Sequence, residues 1–322
     1  MEEIIPKVDR ELLMAELTPD RLLRSTNKAK NCIYVVDAHT APHTMREIGR
    51  LREIAFRAAG GGTGKGCDID EYDLMDPPCR QLIVWDPAAK EIAGGYRFIL
   101  GEDVVIEDGK PHIATSHMFD FSEEFLTDYL PHTLELGRSF VATDYQASGQ
   151  DRKALYVLDN LWDGLGALTV VYPQIEYLFG KVTMDPSFGV EERDLILGFL
   201  RKHFPDPDRL VYPRVPLPTA AGSEAVMARF KGPDFRDDYR TLNSEIRKAG
   251  KNIPPLVNAY MSLSPTMRVF GTAINDEFGD VEETGIFLKI SDIFEEKKRR
   301  HIGTFNPDAP TQNTENQNPR QK

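Results

Sequence analysis

The chain has 322 residues, of which 41% are hydrophobic and 28% are charged, as in ordinary soluble globular proteins. Its net charge of −12 excludes a general nucleic-acid-binding protein, which needs a basic surface. No apolar run approaches the roughly 18 residues that span a bilayer, and the acidic N-terminus lacks the apolar core of a signal peptide. We therefore expect a cytoplasmic protein.

Cysteines and clustered carboxylates are the first candidates for special chemistry. Cys32, Cys67 and Cys79 stand in no metal-binding spacing, so we expect free thiols, with a catalytic cysteine as the alternative. Four carboxylates in the stretch 68–73 could bind a metal, but the glycine and late glutamate of a calcium loop are absent. We predict no bound metal.

The N-terminal residues 1–32 are expected to cover the core, with short helices at about 11–17 and 20–24. A strand at 33–37 is followed by a helix at 44–59 that has one apolar side. Its arginines form either a solvated basic face or a docking surface for an acidic partner. They are Arg46, Arg50, Arg52 and Arg57.

A glycine run at 60–64 lacks the Gly-Lys-Ser/Thr ending of a phosphate loop, because Gly66 follows Lys65. Glycine permits large backbone changes, so this run is predicted to be a hinge or a lid. Two strands at 81–85 and 92–100 read as a hairpin, and the polar stretch after them reads as irregular.

The central stretch combines a strand at 134–141, a polar turn at 144–151 and a helix whose leucines recur at three- and four-residue steps over 155–168. A strand that leads through a polar loop into a helix N-terminus can bind an anion, because free N–H groups and the helix dipole point at it. The candidate phosphate-binding residues are Gln146, Gly149, Asp151 and Arg152.

The remaining elements complete a single domain over 33–304 with an insertion near 204–250. The tail 305–322 is rich in Pro, Asn and Gln and is expected to be disordered. The predicted elements are a strand at 175–184, helices at 189–203, 241–248 and 253–260, and strands at 268–274 and 285–290.

Four groups of residues stand in a recognisable order along the chain: Arg52 with Phe56, Asp70-x-Tyr72-Asp73, Gly95-x-Arg97, and Glu135-Leu-x-Arg138. This order resembles that of acyl-homoserine lactone synthases and of the ornithine-lipid type of N-acyltransferase, also called hemolysin-like. Later motifs are more similar to the lipid branch: Asp144-Tyr145, Leu161-Trp162-x-Gly164, Leu178-Phe-Gly180 and Ile253-Pro-Pro-Leu-Val-x-x-Tyr260. The resemblance implies a GNAT-like α/β fold, in which helices flank a mixed, mostly antiparallel twisted sheet.

That resemblance also implies an activity. Members of the lipid branch move a 3-hydroxy fatty acyl group from acyl carrier protein to the amine of an amino acid. The chain looks most like the glycine N-acyltransferases of glycine-lipid synthesis, with ornithine or another amino acid as the alternative acceptor. A binding or regulatory module without turnover is the alternative of another class. An enzyme of this kind would contact the inner face of the membrane peripherally.

The donor is expected to be a carrier-bound acyl group rather than acyl-coenzyme A, and no resident cofactor is expected. GNAT-like enzymes hold the pyrophosphate of coenzyme A with a Q/R-x-x-G-x-G/A loop. This chain has Asp151 where that loop usually has Gly or Ala, which favours a donor with a single phosphate.

Amide formation from a thioester needs a base that takes the amine proton and a site that binds the acceptor amino acid. Glu135 is the candidate base and Arg138 its catalytic partner, although an ion pair of Glu135 with Arg138 or Arg52 is an alternative that would be structural. The acceptor carboxylate could be held by a bidentate guanidinium contact, or the same arginines could close the loop 60–76. The predicted substrate-binding residues are Arg52, Phe56, Asp70, Asp73 and Arg97.

Overall fold

The structure is a computed structural model that describes residues 1–146 and 153–307. Within these ranges no helix is both long and apolar enough to cross a membrane. The strands are β1 (Leu22–Ser25), β2 (Cys32–Val36), β3 (Arg80–Asp86), β4 (Glu91–Leu100), β5 (Ile106–Glu107), β6 (Lys110–Pro111), β7 (Phe119–Phe121), β8 (Thr133–Val141), β9 (Tyr177–Met184), β10 (Val211–Pro213), β11 (Arg268–Asn275) and β12 (Val281–Lys289). The helices are α1 (Arg10–Glu16), α2 (Pro42–Ala58), α3 (Glu71–Leu74), α4 (Lys153–Val171), α5 (Val190–His203), α6 (Glu224–Met227), α7 (Phe235–Lys248), α8 (Pro255–Met261) and α9 (Glu295–His301).

One large sheet organises the described part of the chain, with the strand order β1-β2-β3-β4-β8-β9-β12-β11. Its neighbouring strands are antiparallel except β8 and β9, which run parallel. The prediction of a mixed, mostly antiparallel sheet flanked by helices is therefore confirmed.

The two faces of this sheet bury different cores, because successive side chains of a strand point to opposite faces. On β9, Leu178 belongs to the core that includes Leu161 and Leu165 of α4. Its neighbour Phe179 belongs to an aromatic cluster with Phe125, whose ring centroid lies 5.5 Å away. Near β3 the second face is covered by apolar residues of α2.

The N-terminal segment departs from prediction. The helix at 11–17 is confirmed as α1, but the predicted helix at 20–24 was wrong, since Leu22–Ser25 forms β1 and pairs with β2. The sheet thus begins inside the segment expected only to cover the core. At the other end Phe305 is not a free tail residue, because the Arg24 guanidinium lies 5.5 Å from its ring centroid. Residues 308–322 lie outside the described chain.

The insertion near 204–250 is more regular than its proline content suggested. It contains β10, which pairs with β7, as well as α6 and α7. Helix α7 begins at Phe235 rather than near 241, because the Asp234 side chain caps it by accepting the N–H of Asp237 at 3.0 Å.

The glycine run after α2 is tied down by a buried carboxylate. Glu53 accepts hydrogen bonds from the N–H of Thr63 at 3.0 Å and of Gly64 at 2.7 Å, and it pairs with Arg57 at 2.8 Å. Gly60 and Gly64 have φ values of 85° and 76°, where residues with a Cβ are strained. In this structure the run is an anchored turn, and its role as a hinge or a lid stays a prediction.

Candidate active site

A cleft opens where the parallel strands β8 and β9 separate. Their pairing runs from Thr133 opposite Tyr177 to Leu136 opposite Gly180. Beyond that point the two strands diverge, and residues of both strands line the cleft between them. The lining includes Arg138 and Ser139 from β8, Lys181 and Thr183 from β9, and Glu283 from β12. The cleft therefore crosses the sheet at its centre.

A β-bulge shapes the β8 side of this cleft. Arg97 of β4 pairs with Gly137 and Gly95 pairs with Phe140, so β8 carries one extra residue between the two pairs. Arg138 lies in the bulge with a φ of 48°, a left-handed conformation that costs about 1–2 kcal/mol for a residue with a side chain. Such strain persists only where surrounding contacts hold the residue in place.

Those contacts are two aspartates and a ring. The Arg138 Nε lies 2.9 Å from one carboxylate oxygen of Asp68 and donates to the other at 3.3 Å, and its Nη2 lies 3.3 Å from Asp70. The guanidinium also lies over the Phe278 ring, 4.5 Å from the centroid. The side chain predicted to be catalytic thus lines the cleft while it is held by carboxylates.

The other two predicted arginines belong to the same network and are fully buried. The Arg52 Nη1 lies 3.0 Å from Asp73, and its Nη2 donates to the Gln81 side chain. The Arg97 Nη1 lies 2.5 Å from Asp70 and 3.4 Å from Asp73. Asp70 and Asp73 also cap α3 reciprocally, since each side chain accepts the backbone N–H of the other.

This network, formed by three arginines and three aspartates, balances its own charge. Burial alone would raise the pKa of Asp70, but Arg97, Arg138 and Arg52 together hold it below its usual range. The geometry fits the structural alternative, in which the arginines hold the loop before β3 against the sheet. The roles predicted for Arg52, Asp70, Asp73 and Arg97 in binding substrate stay predictions.

Glu135 lies near the bulge and is only 2% exposed. Burial raises the pKa of its carboxyl group, and Arg97 and Lys181 partly offset that rise. Within residues 1–146 and 153–307, Glu135 forms no ion pair with Arg52 or Arg138 within 4.0 Å, and it is not among the residues that line the cleft. The predicted structural ion pair is therefore absent there, and the role of Glu135 as the base stays a prediction.

Aromatic residues close one side of the cleft. Phe56, predicted to bind substrate, lines it and packs edge-on against Phe278 at a centroid distance of 5.0 Å. Burial raises the pKa of the Tyr96 hydroxyl, and interactions with the Ser139 and Tyr260 hydroxyls partly offset that rise. The sequence pattern predicts no role for these hydroxyls, although Tyr260 ends the motif Ile253-Pro-Pro-Leu-Val-x-x-Tyr260.

A second missed group lies on the β9 and β12 side. The Lys181 ammonium donates to the buried Glu283 carboxylate, which also accepts from Thr183 Oγ1 at 3.1 Å and from Asn275 Nδ2 at 3.0 Å. The available signal was a lysine and a threonine two residues apart in an otherwise apolar strand, which places both on one face.

The predicted phosphate loop is only partly described. The Gln146 side chain is exposed and donates to the Val141 carbonyl at 2.6 Å, whereas Gly149, Asp151 and Arg152 lie outside the described residues. The three cysteines are free, and burial raises the pKa of Cys67 to about 11 and that of Cys79 to about 12. Buried thiols with raised pKa values are poor nucleophiles, which argues against the cysteine alternative.

Comparison with known proteins identifies the family. A domain described as an acetyltransferase (GNAT) domain matches residues 51–155. A glycine N(alpha)-acyltransferase of Bacteroides thetaiotaomicron is 61% identical over 96% of this chain and 93% of its own length. The chain belongs to this acyltransferase family. A second member, the glycine N(alpha)-acyltransferase of Phocaeicola vulgatus, is 58% identical over 95% of this chain and 94% of its own length.

Membership in this family means that the chain is an acyltransferase with a GNAT fold, as predicted. The solved structures similar to it include a coenzyme A-dependent acyl-homoserine lactone synthase, BjaI, with a TM-score of 0.36 and 12% identity over 85% of this chain and 90% of the other. The acyl-homoserine lactone synthase LasI also has a TM-score of 0.36 and 12% identity, over 84% of this chain and 95% of its own.

Proposed function

We propose that the enzyme transfers a 3-hydroxy fatty acyl group from acyl carrier protein to the amine of glycine, as a step of glycine-lipid synthesis. Glycine is proposed as the acceptor because the chain is 61% identical to a glycine N(alpha)-acyltransferase over nearly its whole length. Ornithine or another amino acid is the alternative acceptor. The carrier and the lipid product rest on the resemblance of the motifs to the lipid branch.

The cleft between β8 and β9 supports this proposal. The backbone edge of β8 beyond Leu136 has no β9 partner, so its polar groups are available to an extended thioester arm. The glycine nitrogen would attack the thioester carbonyl, the C–S bond would break and the carrier thiol would leave. Free glycine carries an ammonium group, so one proton must leave the nitrogen before the attack and is released to solvent through the base, and a second nitrogen proton passes to the departing thiolate. The net change is one amide, one thiol and one free proton formed, and one thioester lost.

Glu135 is the base that we propose, acting through a water molecule. Its pKa is raised by burial, which makes the carboxylate a stronger base than an exposed one. Its position beside Leu136 is close to the place where the strands separate. Arg138, strained in the bulge and lining the cleft, would help to stabilise the charge on the carbonyl oxygen.

Reconstitution tests the acceptor. We expect purified enzyme to form N-acyl glycine from 3-hydroxyacyl carrier protein and glycine, detected by mass spectrometry. Alanine, serine and ornithine should give less product, because Phe56, Tyr96 and Tyr260 leave little room for a side chain. Product from ornithine but not from glycine would contradict this acceptor and leave the acyltransferase assignment intact.

The carrier is the proposed protein partner. Acyl carrier protein is acidic, so an acidic enzyme needs a local positive patch to bind it. The basic face predicted on α2 is smaller than its sequence suggested, since Arg52 is buried, Arg50 pairs with Glu47 at 2.7 Å and Arg57 pairs with Glu53. Arg46 is exposed and is the arginine of α2 that we propose to contact the carrier.

Donor kinetics test this surface. We expect a higher kcat/KM with the acyl carrier protein than with acyl-coenzyme A. Arg46→Glu should raise the KM for the carrier and leave the KM for glycine unchanged, and added salt should act in the same direction because it screens the attraction. The matched control is Arg236→Glu, an exposed arginine on α7. An equal response of both variants would remove α2 as the docking surface.

The proposed location follows from the proposed product. A fatty N-acyl glycine partitions into the bilayer, so we propose that the enzyme works in the cytoplasm and releases its product at the inner face of the membrane by peripheral contact.

A further inference from the structure

The wall of the cleft formed by β9 and β12 carries a lysine fixed by a buried carboxylate. The Lys181 side chain is 9% exposed and Glu283 is 3% exposed, and both line the cleft together with Thr183. Asn275 and Thr183 each donate to Glu283, on different carboxylate oxygens. The carboxylate therefore receives three donors and cannot turn away from Lys181 without leaving polar groups unpaired.

Lys181 differs in its bonding from the arginines near the cleft. Arg52 and Arg97 are fully buried and, unlike Lys181, are not among the residues that line the cleft, and Arg138 is bound by two aspartates. An ammonium group has three N–H donors, and the bond with Glu283 uses one of the three. Lys181 can thus offer N–H donors to a ligand in the cleft without leaving its partner.

We infer that Lys181 binds the carboxylate of the acceptor amino acid and that Glu283 positions it. This inference rests on the proposed transfer to an amino acid. It places the binding site for the acceptor carboxylate on β9 instead of on the predicted arginines. A carboxylate on an ammonium in a poorly hydrated cleft makes a charge-assisted hydrogen bond, which is stronger than a neutral one.

The surroundings of Lys181 fit an acceptor without a side chain. Phe56, Tyr96, Tyr260 and Phe278 also line the cleft, so little space remains around the α-carbon of a bound amino acid. Lys181 also interacts electrostatically with Glu135. The proposed binding site for the acceptor carboxylate therefore lies near the proposed base. Lys181 would then bind the carboxylate of the acceptor while Glu135 acts on its amine.

Kinetics with two acceptors test the inference. Glycinamide has the amine of glycine but no carboxylate, and comparing each acceptor in wild type and variant cancels its intrinsic reactivity. We expect Lys181→Met to raise the KM for glycine about 10- to 100-fold, the range for losing a hydrogen bond between charged groups. At a pH well above the pKa of Glu135, where losing the Lys181 charge does not change the ionisation of that base, we expect kcat at saturating glycine and kcat/KM for glycinamide to stay near wild type. Glu283→Gln should change the same ratio by a smaller factor.

A control variant distinguishes the loss of acceptor binding from a general loss of stability or activity. Lys202 of α5 pairs with the buried Asp238 of α7 at 2.5 Å and does not line the cleft. Lys202→Met should therefore leave the ratio of kcat/KM for glycine to kcat/KM for glycinamide unchanged. If Lys181→Met does not fold, Lys181→Gln keeps a hydrogen-bond donor for Glu283 and loses the charge, and it is expected to show the same shift in ratio. Equal losses with both acceptors would overturn the inference. Wild-type enzyme without any product from glycine would instead contradict the proposed function.

Discussion

Glu135→Gln is expected to lower kcat by about 10²-fold or more, the usual scale for losing a general base. The substitution keeps the size of the side chain and removes its ability to take a proton. Because burial raises the pKa of Glu135, wild-type kcat/KM should rise with pH through a value above the ordinary glutamate range. That limb of the profile should be absent in the variant.

Glu282→Gln is the matched control. Glu282 is a buried carboxylate on β12 that faces the other core and pairs with Arg193 at 2.6 Å. We expect it to lower the melting temperature without lowering kcat. If Glu135→Gln kept normal turnover and a normal pH profile, Glu135 would not be the base, and a structural role would be favoured.

Asp73→Asn is expected to lower the free energy of unfolding by about 3–5 kcal/mol, the range for removing one partner of a buried ion pair. Asp73 is fully buried, lies 3.0 Å from Arg52 and 3.4 Å from Arg97, and accepts from the Gln81 amide at 2.9 Å. The neutral amide would leave buried guanidinium charge uncompensated. Urea unfolding followed by circular dichroism measures this change.

Asp237→Asn is the control for this experiment. Asp237 pairs with Arg240 at 3.0 Å on the exposed side of α7, and surface pairs contribute only about 0–1 kcal/mol. A loss for Asp73→Asn no larger than that of the control would show that the network does not stabilise the fold.

Acid should weaken the same network. The pKa of Asp70 is held below its usual range by the arginines, so its ionised form stabilises the folded protein above the pKa of the unfolded chain. That contribution is lost as the pH falls through the lower folded pKa. Asp70→Asn should therefore flatten the acid side of a plot of stability against pH.

The long helices and strands near the centre of the chain could be predicted because their patterns are encoded locally. The apolar periodicity of α4 and the alternation along β9 specify their own secondary structure. The strand β1 was missed because its four residues gain stability only by pairing with β2, a partner the local pattern does not reveal. The start of α7 was missed because the capping residue Asp234 was not used as a start signal.

The sequence by itself determined the fold class, the acyltransferase family and the set of charged residues near the centre of the sheet. Only the tertiary structure decided how those charges pair: Arg52 and Arg97 with the aspartates before β3, Lys181 with Glu283, and Glu135 without an ion pair to Arg52 or Arg138 in the described chain. The physical reason is that ion pairing depends on distances of a few ångström between residues far apart in the chain, and those distances are set by strand register and by the bulge at Arg138.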